Sequence, residues 1–118
     1  MFKRILDTTL DYVQGVKLLA LFDKDGFIVE KTKDESNKSE EIAAEFSSVL
    51  RYIDKVTTFL VTGKMNRMVI ECDNDIFYLY KINKYYYIIG VLEKNTIIGK
   101  LNYVLMMLEP ELRKELDI

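Results

Sequence analysis

The chain has 118 residues, 49% hydrophobic and 31% charged, with a formal net charge of −2. That length suits one domain, residues 1–118, able to hide roughly two thirds of its unfolded surface, and one proline with five glycines argues against a disordered tail or repeat array. With no histidine and one cysteine, a protein-only zinc site and a histidine general base are excluded, and the near-neutral charge gives no basic footprint for nucleic acid or an anionic membrane.

Phe2, Ile5, Leu6, Thr9 and Val13 recur at helical spacing. Gly15 is placed to end that helix in a left-handed turn. Lys17 to Phe22 is a short apolar run that reads as a strand buried on both faces. Asp23-Lys24-Asp25-Gly26 is a hairpin signal, Phe27 to Lys31 the returning strand, and Thr32 to Asn37 a polar loop. Asn37 and Glu40 have the spacing of a capping box, with Glu41 adding charge suited to a helix start. Beyond them Ile42, Phe46, Val49, Leu50, Ile53, Thr57 and Leu60 keep one face, predicting the longest helix of the chain.

Lys64 to Asp73, Ile76 to Ile82 and Tyr85 to Leu92 are rich in aromatic and β-branched residues and predict three strands. Asp73-Asn74-Asp75 and Asn83-Lys84 are connections short enough to force antiparallel neighbours. Asn95 is expected to cap a last helix with Ile97, Leu101, Val104, Leu105 and Leu108 inside. Pro110 predicts a kink or restart there, with Leu112 and Leu116 on the closing segment. The fourth and fifth strands are apolar on both alternating sets, so the sheet needs covering on both faces. The pattern predicts an α/β/α sandwich around an antiparallel sheet, one helix on one side and two on the other.

That element order resembles the Roadblock/dynein-light-chain family, whose members include MglB-type proteins. So do Val13-Gln14-Gly15-Val16 at the first strand, the Asp23-Lys24-Asp25-Gly26 hairpin and Asn95-Thr96-Ile97-Ile98-Gly99-Lys100-Leu101 before the last helix. The likeness spans nearly the whole chain, from Phe2 to Leu108. It implies a profilin- and longin-like fold, a five-stranded antiparallel sheet of order 2-1-5-4-3 between one long helix and two helices. It implies a homodimer in which the long middle helices pack together and the third strands pair edge to edge. It also implies regulation of a small Ras-like GTPase, as activating partner or scaffold, without a cofactor. MglB-type activators, so understood, insert no catalytic arginine and reposition the GTPase's own residues, which agrees with a chain that is not itself an enzyme.

Candidate contact residues follow from faces. With Ile42 at 0° and ~100° per residue, the core stripe of the middle helix spans about −40° to +80°. Ala44, Ser48, Tyr52, Lys55 and Phe59 lie together at ~200–280° and form a candidate dimer seam, small residues permitting approach and the aromatics anchoring it. The competing reading is a solvated face, since Lys55, Glu41 and Glu45 share it. On the third strand Met65, Arg67 and Val69 are candidates to face a twin strand; alternatively Asn66 and Arg67 merely blunt an edge. Tyr103, Met106 and Met107 lie off the inner face of the last helix and form either a partner patch or packing against the first helix.

Other features reduce to structure. Aligning Gly26 with the glycine of a calcium loop puts Leu21 and Thr32 at its two end ligand positions, where neither fits. Asp73 and Asp75 belong to a turn. Cys72 alternates with Met68 and Ile70 and reads as a buried small hydrophobe. Tyr85 to Tyr87 read as sheet packing, without the basic groove that base stacking needs. Gly63-Lys64 lacks the upstream glycine of a phosphate loop. A small-molecule sensor would need a polar-lined cavity, and a profilin-like actin or polyproline binder an aromatic cluster usually including Trp, which is absent. The longest apolar run, Tyr85 to Leu92, falls far short of the ~20 residues of a membrane helix. With no secretion core and one unpaired cysteine, the expected address is the cytoplasm.

Overall fold

Period-two and period-3.6 apolarity become alternating layers in the computed structural model, which describes residues 2–118. The elements are α1 (Phe2–Tyr12), β1 (Val16–Asp23), β2 (Ile28–Lys31), α2 (Ser39–Leu60), β3 (Arg67–Glu71), β4 (Ile76–Lys81), β5 (Tyr86–Leu92) and α3 (Ile98–Leu116). The five strands form one antiparallel sheet of order β2-β1-β5-β4-β3, as the family resemblance implies. Leu19, Leu21, Tyr78, Tyr80, Ile88 and Leu92 point to one face, where Ile5 and Leu6 of α1 and Leu101, Leu105 and Leu112 of α3 cover them. The intervening Ala20, Phe22, Leu79 and Ile89 point to the other, under Ala43, Phe46 and Leu50 of α2. A strand buried on both faces cannot alternate apolar with polar residues, which is why β1 is one continuous apolar run.

Two glycines set how closely the layers approach. Gly15 has φ +96°, and a Cβ there would stand 2.2 Å from Thr96 Oγ1, so the turn into β1 passes against the approach to α3. Gly26 has φ +90°, and its Cβ would lie 3.1 Å from Ala44 Cα, so the β1–β2 hairpin tip rests on α2. Only a residue without a side chain fits either place.

Several local expectations are corrected. Asn37 does not cap α2. It adopts φ +59°, and the N-cap position falls to Lys38 without a side-chain bond. The left-handed Asn37 turns the chain so that Asp34 reaches back instead, accepting from Ser39 N at 2.8 Å, Ser36 N at 3.2 Å and Ser36 Oγ at 2.7 Å. Burial alone would raise the Asp34 pKa, but these bonds outweigh it and hold the carboxyl below its usual range. Nor does Asn95 cap α3: Ile97 holds that position with no side-chain bond, and Asn95 sits in a turn closed by Thr96 N on Glu93 O at 3.1 Å. β3 begins at Arg67 rather than Lys64, because its single partner β4 ends at Lys81, whose N–H already reaches Asn66 O. α3 runs through Pro110 without restarting.

Candidate interaction surfaces

The middle helix is rolled relative to its large apolar residues. Its buried positions are Ser39, Ala43, Phe46, Ser47 and Leu50, which span about 40–140° on the same wheel and so shift the centre of the stripe by roughly 70°. Val49 and Leu60, expected inside, are exposed. The cause is size. Ala43 and Ser47 let α2 sit close against the hairpin tip, where a Gly26 Cβ would lie 3.0 Å from Ser47 Oγ and 3.3 Å from Ala43 O, and a pattern weighted to large side chains misses them.

The roll widens the outer face. Ala44, Ser48, Tyr52, Lys55 and Phe59 are all exposed, Tyr52 by 67% and Phe59 by 84%. Val49 and Leu60 extend the set, and Val61 follows in a left-handed C-cap with φ 56°. Tyr52 and Phe59 share one side of this face and make it a candidate contact surface. On the sheet below, α2 packs over β1 and β2, and Met68, Ile70 and Phe77 on the far side stay half-buried. Phe46 and Phe77, ring centroids 5.0 Å apart, link the helix to that less covered region.

The two margins of the sheet differ. β2 is four residues long, and its register with β1 slips so that Val29 has no partner between Ile28 and Glu30. Lys3 Nζ also lies 3.4 Å from Lys31 O. A short, bulged strand is a poor template for another chain. β3 instead pairs with β4 in unbroken register from Arg67↔Tyr80 to Glu71↔Ile76. Bonds from Lys81 N to Asn66 O at 3.0 Å and Cys72 N to Asp75 O at 2.8 Å fix which residues bond inward. By antiparallel alternation, the N–H and C=O groups of Arg67, Val69 and Glu71 then point to the free margin.

The side chains of the predicted strand set do not share a face. Met65 precedes β3 and packs into the α2-side cluster. Arg67 turns to the α3 side, donating from Nε to Asn102 Oδ1 at 2.8 Å with its guanidinium carbon 3.6 Å from the Tyr80 ring centroid. Val69, opposite Tyr78 on that same side, is 47% exposed. Cys72 is exposed rather than buried, because it lies one step past the end of β3 in the tight turn to Asp75.

On α3, Val104 and Leu108 meet the core beside α1, while Tyr103, Met106 and Met107 remain exposed, so packing against α1 does not account for them. Sequence reasoning missed the polar anchors beneath. Tyr78 donates its hydroxyl to Asn102 Oδ1 and Tyr80 to Glu109 Oε1. Arg113 donates to Glu109 Oε2 at 2.8 Å and to Ile82 O at 2.6 Å. Their one sequence signal is tyrosine at alternate positions of a buried strand, since a buried phenol needs a partner. A polar cleft of about 240 Å³ opens at the start of α2 beside Lys31, Asn37, Ser39, Glu40 and Glu41. Among the described residues no cluster of His, Cys, Asp and Glu could hold a metal, and no helix is long and apolar enough to cross a membrane.

Comparison with known proteins places this geometry. No curated protein matches the sequence significantly. The fold is similar to a Roadblock/LC7 domain from Streptomyces avermitilis, with TM-score 0.87 and 15% identity over 98% of both chains. It is similar to Myxococcus xanthus MglB, with TM-score 0.87 and 13% identity over 98% of this chain and 94% of that one. An MglB with tetrameric arrangement gives TM-score 0.84 and 14% identity over 94% and 84% of the two chains. Residues 3–93 match the family model of the Roadblock/LC7 domain, and the chain belongs to that family.

Proposed function

We propose that residues 1–118 act as a single domain that pairs with a second copy of itself and regulates a small Ras-like GTPase by contact, without chemistry of its own. The observation that carries this reading is the open, regular margin of β3 beside the apolar outer face of α2. Joining two β3 strands satisfies the outward groups of Arg67, Val69 and Glu71. It also brings together two rolled α2 helices, with Tyr52 and Phe59 as anchors. A surface using both strand and helix is of the kind that reaches the ~1,200–2,000 Å² of specific complexes. The MglB-like fold supports the GTPase assignment, and the tetrameric MglB supports assembly from several copies. Activation and scaffolding both fit a cytoplasmic platform of this kind.

Light scattering of the purified chain, followed by GTP hydrolysis with the nearest GTPase encoded in the same genome, tests it. A dimer mass with faster hydrolysis, or with a stable complex, is expected. If no encoded GTPase binds or responds, the GTPase assignment fails; if the chain is solitary at micromolar concentration, the pairing fails.

A further inference from the structure

The outer face of α3 lies across the sheet from α2 and takes no part in the pairing proposed above. Tyr103, Met106 and Met107 are 63%, 54% and 62% exposed there, and Pro110 is exposed with them. Lys100, Tyr103, Met107, Pro110 and Lys114 alternate spacings of three and four residues, which is the seam geometry of one helix lying along another. The strip is about 21 Å long. It is apolar in the middle, with an exposed lysine at each end. Pro110 lacks an N–H, so the Met106 carbonyl one turn back has no helical donor. Methionine adapts to varied partners, and a pair of them beside a tyrosine is an apt docking composition.

Charge selects the occupant. A second copy laid parallel on this strip sets Lys100 on Lys100 and Lys114 on Lys114; laid antiparallel, it sets Lys100 on Lys114. Either arrangement opposes like charges. An anionic membrane surface is disfavoured because two lysines about 21 Å apart fall short of the cluster of roughly four or more that holds a chain to one, whereas Glu111 beside the strip is already answered by Arg4 at 3.0 Å. We propose that the outer face of α3 docks an amphipathic helix of another protein, apolar in its middle and acidic at both ends. The strip lies on the opposite face of the sheet from α2, so it and the outer face of α2 can be occupied together.

Two synthetic helical peptides of about 18 residues, the length that spans the strip with a turn to spare, test this. They share one leucine-rich face and differ only in carrying Glu or Lys at both ends. Binding to the full-length isotope-labelled chain is read by fluorescence anisotropy and by backbone amide shifts. The Glu-ended peptide is expected to bind about tenfold tighter or more than the Lys-ended one, with shifts confined to α3. Met107→Glu is expected to abolish binding while the circular dichroism spectrum is kept, and Lys100→Glu with Lys114→Glu to reverse the preference. Equal affinity for both peptides, shifts on α2, or no binding overturns the proposal. So does sedimentation of the chain with phosphatidylserine vesicles in a Met107-dependent manner.

Discussion

The guanidinium of Arg67 stacks on the ring of Tyr80, 3.6 Å from its centroid, on the face of the sheet that α3 covers. The same side chain bonds Asn102, which also accepts from Tyr78. An arginine on an edge strand is thereby turned inward and ties β3 to α3, while its backbone stays open to the margin. Arg67→Ala is expected to destabilise by about 1–3 kcal/mol, from the lost cation–π contact and the lost charged hydrogen bond. Arg67→Lys recovers only part of this, because an ammonium cannot stack as a plane and also donate sideways. Thermal melts of the two variants check the order.

Alkaline pH reaches the same anchors. Burial pushes both the Tyr78 and the Tyr80 phenol up, and at Tyr80 the bonded Glu109 carboxylate pushes further. A folded-state pKa above the unfolded value of about 10 means stability is intact below that pH and lost as pH rises past it. The melting temperature is expected to stay level between about pH 7 and 9 and to fall above about 10, with a shallower fall in Tyr80→Phe. An unchanged alkaline slope in that variant would remove Tyr80 as a source.

Glu109 gives the acid-side counterpart. Burial raises its pKa, but bonds from Tyr80 and Arg113 outweigh this and the net shift is downward. Its contribution is present above the unfolded carboxyl value of about 4.3 and lost as pH falls below it. Glu109→Gln is expected to flatten the acid limb of the same melting curve.

Phe59 is the most exposed aromatic on α2, at 84%, so a charge there leaves the monomer fold intact. Phe59→Glu is expected to weaken self-association by about 2 kcal/mol or more, roughly 30-fold. Light scattering then shows half the parent mass under an unchanged far-ultraviolet spectrum. An unchanged mass removes Phe59 from the contact.

Val69→Pro tests the strand independently. The N–H of Val69 points away from β4, so proline removes no bond of the internal ladder and is tolerated on an edge. It does remove the central donor of the open margin. The expected result is a stable monomer, whereas Met68→Pro, which breaks an inward bond, lowers the melting temperature outright.

The layers were legible because β4 and β5 carry apolar residues on both alternating sets, and nothing but a sheet covered twice accommodates Tyr78 with Leu79 and Ile88 with Ile89. The roll of α2 was not, because Ala43 and Ser47 mark its buried side and small residues leave no periodic signal. The helix starts were misplaced for a similar reason: Asp34 reaches back from five residues upstream, beyond the three-residue spacing of a capping box. Helical angles alone are enough to put Tyr52, Phe59 and Met107 on outer faces, where they are exposed. The direction of the Arg67 side chain depends on the β3–β4 register and on Asn102, which are 35 residues apart in sequence from one end of that bond to the other.

In the pairing proposed above, the unmatched Val29 bears on the size of the whole particle. A sheet with two receptive margins can recruit neighbours without end and grow into a fibre. With one margin spoiled by an extra residue, addition through the other stops after a single partner. A discrete particle, never a filament, is the product such a molecule can build from its strands.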